Sequence, residues 1–424
     1  MGITINGTNA AGNIDLGTNG TITDLAVGGL PDGTVDGDTV STIPASKLTG
    51  DLPAISGANL TGISSAGSFR NLIDNGAFKI AQRGTSKTGI TDSGRYVFDR
   101  WQTEVAHDGG YGTYTLTQES STSLPDGHTN SYKLQVTTAD ATVGTNDMVT
   151  IYTTIEAQNL VRLRYGTSDA LTTTLSFWVR TNLENKTGFV MLYKNDNVER
   201  MICKSYTTHG TANTWKKVTL TFPGDTTGAI NNDNGGGVSL QWFLCAGATQ
   251  SVDPPTSWAN YNSNAKAKGT DIQIASSTNN YYELTGVQWE IGSTATDYEH
   301  RTVADELWTC RRYFQASHGD DNDFLFGPGY EGGGGSFYMP VMFNPPMRAA
   351  PTMKVVSGNW KQVGDGGQSS EYTGAMSAYD QQPGPIHTSL LFWKDTDYPS
   401  SKDGRTQWMR AGENSTIVAF NAEI

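Results

Sequence analysis

The 424-residue chain is short of charge, cysteine and long apolar runs, and its first 68 residues contain no aromatic side chain at all. Each shortage excludes something. Only three cysteines are present, Cys203, Cys245 and Cys310, odd in number and far apart, with neither a CxxC pair nor a zinc spacing to any of the six histidines. A disulfide scaffold and a structural zinc site are therefore not expected, and assembly in a reducing cytoplasm is. No run of about 18 apolar residues is available to span a bilayer, and no basic start leads into an apolar stretch, so neither membrane insertion nor a signal peptide is expected. Charged residues make up 17%, with Lys+Arg 29 against Asp+Glu 42, a net charge of −13, and the basic residues are scattered. A phosphate backbone would be repelled, which argues against nucleic acid as a partner.

What is abundant forms turns. Forty-nine glycines, with many Thr, Ser and Asn, give the composition of an all-β protein. The length exceeds the roughly 250–300 residues at which one core stops growing, so two or more folded units are expected.

Residues 1–68 read as an extended arm: thirteen glycines, ten threonines and isolated Ile and Leu. A Leu-Thr-Gly unit recurs twelve residues apart, at 48–50 and 60–62. The aliphatics Ile43, Leu48, Leu52, Ile55, Leu60 and Ile63 are too sparse for a monomeric core. Two readings stand: a disordered linker, or three copies winding together and pooling those side chains on a shared axis. From 69 to 300 the pattern changes to alternation between turn clusters. "TTTLSFWVR" sets Leu175, Phe177 and Val179 against Thr174, Ser176, Trp178 and Arg180, and "TWKKVTLTF" sets Val218, Leu220 and Phe222 against Lys217, Thr219 and Thr221. "GVSLQWFLC" sets Val238, Leu240, Trp242 and Leu244 against Ser239, Gln241, Phe243 and Cys245. About ten such strands predict an antiparallel two-sheet sandwich of jelly-roll type. "TVADELWTCRRYFQ" (302–315) predicts a connecting helix over 301–316, with Thr302 as N-cap and Leu307, Cys310 and Phe314 as its apolar stripe. Residues 317–424 predict a smaller distal β domain.

The runs "NLIDNGAFKIAQRGTS" (71–86), "YVFDRW" (96–101), "LSFWVR" (175–180), "NTWKKVTLTFPGDTTG" (213–228) and "YYELTGVQWEIGSTATDYEHRTVADELWTCRRYFQ" (281–315), in that order, resemble bacteriophage tail-fibre and neck-appendage proteins. "IPASKLTGDLPAISGANLTGI" (43–63) is similar to the segment joining many phage fibres to their attachment region, and "MPVMFNPPMRAAPT" (339–352) to the opening of their distal domain. The resemblance covers nearly the whole chain. It implies a homotrimeric virion fibre, assembled in the host cytoplasm, whose β-sandwich looks like a carbohydrate-binding module. A tail, baseplate or neck protein would grip residues 1–68, and host-surface polysaccharide would be the ligand.

Two chemistries compete for "GVQWEIGSTATDYEHR" (286–301). Paired carboxylates such as Glu290 and Glu299, with His300, could cleave a glycosidic bond, but their separation in space is not a property of the sequence. Alternation instead puts Trp289 in the core and Glu290 on the opposite face, where a sugar hydroxyl or a neighbouring chain's arginine would suit it. The following charges are expected to pin a domain junction. "GDDND" (319–323) lacks the spacing of a calcium loop, and no GxSxG, HExxH or phosphate-cradling loop is present. No cofactor and no metal ligand set is assigned, although jelly-roll modules often hold a structural calcium.

Sugars are recognised by aromatic faces and by hydrogen-bonding side chains beside them. The residues expected to serve are Trp178 with Arg180, Trp258 and Tyr261 in a loop, and Trp360, Tyr379 and Trp393 in the distal domain, with packing at a trimer axis as the alternative. A non-enzymatic receptor-binding fibre is therefore the leading expectation. A polysaccharide depolymerase is the alternative from another class, although no β-helical repeat is found from 69 to 424. A purely architectural appendage is the third.

Overall fold

Side chains that alternate between apolar and polar fold best as sheets with one face against another, and the chain follows that rule from residue 86 to 291. The computed structural model describes residues 69–92, 95–106, 111–121, 123–320, 323–331, 336–357, 360–364, 369–372, 377–379, 386–394, 406–411, 414 and 416–424. The chain divides between Ile63 and Ser64, and every described residue belongs to the second unit. The arm residues Ile43, Leu48, Leu52, Ile55, Leu60 and Ile63 lie outside the described residues.

The first thirteen strands are β1 (Ser86–Ile90), β2 (Arg95–Tyr96), β3 (Gln102–Ala106), β4 (Thr113–Glu119), β5 (Ser131–Thr138), β6 (Met148–Glu156), β7 (Thr173–Thr181), β8 (Thr187–Lys194), β9 (Arg200–Thr207), β10 (Lys216–Phe222), β11 (Gly236–Ala246), β12 (Ala259–Asn260) and β13 (Tyr281–Ile291). They form two antiparallel sheets, ordered β1-β4-β5-β13-β7-β10 and β12-β9-β8-β11-β6-β3-β2. The expected sandwich is present. Its core is a chain of rings between the sheets: Phe78 on Trp101 at 4.8 Å, Trp101 on Trp242 at 5.6 Å, and Trp242 on Phe177 at 5.6 Å between centroids. Each such pair contributes about 0.5–1.5 kcal/mol beyond the area it buries.

The apolar face is buried as expected in β7 and β10, at Leu175, Phe177, Val179, Val218 and Phe222, although Thr174 and Ser176 on the other face of β7 are buried as well. In β11 alternation fails on the outer side. Phe243 is as buried as Trp242, because the segment through Ala265 and Ala267 lies over the seven-stranded sheet and encloses Met191, Met201, Cys203 and Phe243 in a second apolar cluster, while Cys245, past a register shift after Phe243, joins the core between the sheets.

The motif at 71–76 forms no strand of its own. It supplies backbone partners to the second half of β13, which pairs with β5 only from Tyr281 to Leu284. Leu72 N–H donates to Trp289 O at 2.8 Å and Val287 N–H to Gly76 O at 2.9 Å. Asn71 completes the seam: its Nδ2 donates to Val287 O at 3.0 Å and its Oδ1 accepts from Trp289 N–H at 3.0 Å. Such close backbone approach requires glycine at 76, where a Cβ would stand 2.1 Å from Val287 O.

The helix α1 (Ala157–Leu160) closes β6, and α2 (Val303–Arg311) follows the sandwich. Thr302 caps α2 as expected, its Oγ1 accepting from Asp305 N–H at 3.1 Å. The expected stripe is corrected. The helix stops at Arg311, Phe314 belongs to a strand, and the buried helical side chains are Glu306 and Cys310. Glu306 is drawn inward because its carboxylate accepts from the backbone of Asn75.

The remaining strands are β14 (Phe314–Gly319), β15 (Phe324–Glu331), β16 (Ser336–Met347), β17 (Thr352–Ser357), β18 (Trp360–Gly364), β19 (Ser369–Tyr372), β20 (Ser377–Tyr379), β21 (Ile386–Lys394), β22 (Thr406–Ala411) and β23 (Thr416–Asn421). They form a three-stranded sheet, β14-β23-β17, and a seven-stranded one, β19-β18-β22-β15-β16-β21-β20. The last residues return to the sandwich. Glu423 pairs with buried Arg100 and, at 3.2 Å, with Arg83; Tyr96 O–H donates to Ile424 O at 2.8 Å. Arg348 locks the same segment, donating to Ala422 O at 2.8 Å and to Asn234 O at 2.6 Å.

Breaking a buried pair from one side strands the other charge, so Glu423→Ala is expected to lower unfolding free energy by about 3–5 kcal/mol, measured by chemical denaturation. Gly76→Ala is expected to cost about 1–3 kcal/mol by forcing the seam apart, with loss of amide-exchange protection at Val287 and Trp289.

Candidate functional site

Register brings together residues that sequence keeps apart. On the outer face of the six-stranded sheet, Glu283 of β13 lies directly across from Lys133 of β5 on one side and Arg180 of β7 on the other. The carboxylate is fully buried, with Lys133 Nζ at 3.7 Å and Arg180 Nε at 3.6 Å, and neither of its oxygens accepts a hydrogen bond. Burial pushes the Glu283 carboxyl above the usual carboxylate range, against the opposing pull of Arg180 and Lys133. Lys133 also reaches Glu119 at 3.3 Å.

Arg180 is held from four directions. Its guanidinium stands 5.7 Å from the Trp215 ring and 5.9 Å from the Tyr281 ring, its Nε donates to Tyr281 Oη at 3.3 Å, and its Nη1 donates to Ser123 Oγ at 2.6 Å. Trp215 Nε1 donates to Ser123 O at 2.7 Å, so the loop at Ser123 borders the face. The next row along the sheet is Thr285, Trp178 and Lys217. From Tyr281 to Thr285 the strand advances about 14 Å at roughly 3.4 Å per residue. Trp178 and Trp215 are both half-buried, each leaving part of its ring accessible. β13 bulges between Thr285 and Gln288, and Gly286 sits there at φ +60°, where a Cβ would lie 2.7 Å from the His128 ring and 3.1 Å from Trp178.

Of the residues expected to bind sugar, Trp178 and Arg180 therefore share one surface. Trp258 and Tyr261 do not join them. Trp258 packs against Tyr165 at 5.6 Å and spends its Nε1–H on Pro223 O at 2.7 Å. Tyr261 stacks on Tyr193 at 4.5 Å within the cluster over the other sheet. Trp360 opens β18, Tyr379 ends β20 and Trp393 lies across from Phe337 in β21, while their side chains lie outside the described residues. Trp215, Tyr281, Lys133 and Glu283 were missed by sequence reasoning. Alternation in "YYELT" does put Tyr281, Glu283 and Thr285 on one face, but not opposite Arg180.

The stretch 286–301 is structural in its acidic residues. Trp289 is fully buried, as expected. Glu290 accepts from Thr296 N–H at 2.9 Å and pairs with Arg70 at 3.4 Å; Glu299 accepts from Arg70 N–H at 3.1 Å and Asn71 N–H at 2.8 Å. Arg301 pairs with Asp74 at 3.3 Å. Together these fasten residues 69–74 where the chain enters the sandwich. In the acidic loop at 319–323, Asp323 Oδ2 accepts from Asp320 N–H at 2.9 Å. Among the described residues no group of three or more His, Cys, Asp or Glu is arranged to hold a metal.

No known family profile matches the chain, and no curated protein matches it by sequence. Solved structures overlap it in part. The enzymatically active domain of tailspike protein 4 of bacteriophage CBA120 is 9% identical, with 53% of this chain and 22% of that one covered at a TM-score of 0.27. An endo-1,4-β-D-xylanase 10B from Clostridium thermocellum, comprising CBM22-1 and GH10 modules, is 10% identical over 50% of this chain and 30% of that one at 0.26. The family 11 carbohydrate-binding module from Clostridium thermocellum is 12% identical over 50% of this chain and 98% of that one at 0.24. The chain thus spans less than a third of the tailspike domain and of the xylanase.

Proposed function

We propose that the protein binds carbohydrate without cleaving it, and that the ligand lies on the outer face of the six-stranded sheet against Trp178 and Trp215. One observation carries this reading. Two half-buried indole rings flank an arginine whose position is already fixed by Glu283, Tyr281 and Ser123, so stacking surface and oriented donors are in place before a ligand arrives. Preorganised aromatic and polar groups lose little entropy on binding, which suits hydroxyl-rich ligands that gain little from burial alone. The non-catalytic part is supported by the occupation of Glu290 and Glu299 in holding residues 69–71. The sequence resemblance supports placing this surface on a homotrimeric phage fibre, attached to a tail, baseplate or neck protein through residues 1–68 and facing host polysaccharide.

Titration of purified protein with host-surface polysaccharide tests the reading. Trp178→Ala is expected to weaken binding about tenfold, or about 1.4 kcal/mol, whereas Trp258→Ala is expected to lower stability and leave affinity unchanged. An unaltered affinity in Trp178→Ala, or new reducing ends appearing during incubation, would overturn it.

A further inference from the structure

Beside Trp178 stands a group of side chains that neither the core nor the sheet pairing accounts for. His128, Tyr298 and His300 pack ring against ring, at 5.0, 5.4 and 4.9 Å between centroids. The His128 ring and the edge of Trp178 both press on the same bulge residue, Gly286. Lys217 is the cross-strand neighbour of Trp178, and Lys79 shares a small pocket with Tyr298. Among the described residues none of His128, His300, Lys79 and Lys217 has a carboxylate within ion-pair distance. In a chain of net charge −13 that is out of pattern. Of the nearby carboxylates, Glu299 is engaged with Arg70 and Asn71, and Glu306, which lines the same small pocket as Lys79 and Tyr298, accepts from the backbone of Asn75 and pairs with Arg301 at 3.9 Å. His128 Nδ1 is enclosed and has no hydrogen-bond partner.

We infer that this cluster is a subsite for an anionic substituent, so that the ligand of the Trp178 face is an acidic glycan carrying carboxylate or sulfate. The inference rests on the proposed carbohydrate-binding reading and specifies its ligand. Two imidazoles and two ammoniums supply donors that strengthen against a charged acceptor. Burial, then the neighbouring His300, Lys79 and Lys217, hold the His128 imidazole down at about 4, and burial and Lys79 lower His300. Both rings are therefore neutral at pH 7 in the free protein. An anion favours their charged forms, so its binding draws in protons and tightens as pH falls from 8 to 5. Tyr298 stays a neutral phenol over that range because burial raises it, and the other charged groups facing it are Glu306, Arg301 and Glu299.

The test has two independent arms. In the first, inorganic sulfate and acetate are titrated into the full chain while the imidazole resonances of His128 and His300 are followed; both are expected to shift and to titrate at higher pH with the anion present. The shift should disappear in Lys217→Ala/Lys79→Ala. Imidazoles that ignore both anions would overturn the subsite whatever the glycan result. In the second, a panel of acidic oligosaccharides is compared with their methyl-esterified or desulfated counterparts. Acidic forms are expected to bind about tenfold tighter at pH 5, the order expected for a charged hydrogen bond, and His128→Gln/His300→Gln should remove that advantage while neutral binding persists. Equal affinity for acidic and neutral forms would overturn the subsite alone. If no oligosaccharide binds while the anion shifts persist, the carbohydrate reading fails and takes the acidic-glycan assignment with it.

Discussion

The rest of the structure depends on where β5 stops pairing with β13. Up to Leu284 the strand has β5 on one side and β7 on the other. Beyond it, backbone from residues 71–76 takes over the β5 side, with Asn71 and Gly76 supplying the contacts a strand would have made. That exchange sets the two halves of the outer face apart. Over Gln288 and Glu290 the segments at 69–71 and 296–299 form a lid of main chain, and both side chains are buried and fully engaged. Over Glu283 the cover is made of side chains, Lys133 and Arg180, which keep part of their surface in solvent. Only the second arrangement leaves charged side-chain groups in solvent, where a ligand can reach them.

The distribution of positive charge follows a related logic. With 29 basic residues against 42 acidic ones, a cation that is buried without a partner would be conspicuous. The two deepest cations are paired, Arg100 with Glu423 and Lys194 with Asp225 at 3.6 Å, and the less buried Arg312 pairs with Glu156 at 2.6 Å. These pairs join segments more than thirty residues apart, and two of them tie the sheets after α2 to the sandwich. Their contribution is chiefly to geometry, since desolvating both charges offsets much of their attraction. Arg180 is different in kind. Its partner Glu283 lacks any hydrogen bond, so the pair does not consume the donors of the guanidinium, and Ser123 and Tyr281 orient it without sealing it.

Alternation made the fold class readable, because Leu175, Phe177 and Val179 can share a face only in a strand, and two such faces must meet. It also placed Trp178 and Arg180 together and Trp289 in the core. It could not show that Arg180 would stand opposite Glu283, since register depends on hairpin geometry and on the Gly286 bulge, neither of which leaves a periodic signal. The outer face of β11 was misread for a different reason: a loop nineteen or more residues downstream, through Ala265 and Ala267, buries Phe243. In α2 the carboxylate of Glu306 replaced an apolar residue on the buried side, because a backbone N–H at Asn75 needed an acceptor there. The acidic residues of 286–301 resembled a catalytic pair because their partners, Arg70 and Asn71, lie more than two hundred residues earlier.

The tryptophans show why residue type alone does not mark a surface. Trp289 and Trp242 alternate inward and are enclosed on every side. Trp258 sits in a loop, the place where exposed aromatics are usually sought, yet its indole N–H is committed to Pro223 O and its ring to Tyr165. Trp215 also commits its N–H, to Ser123 O, but that bond turns the ring toward Arg180 and leaves it partly accessible. Trp178 lies between Thr285 and Lys217 on a strand paired on both sides, which holds its backbone in place. An aromatic ring on a strand paired on both sides, half-covered by neighbours that are themselves pinned, is rigid without being buried. That combination is what distinguishes a binding surface from a core that happens to reach solvent.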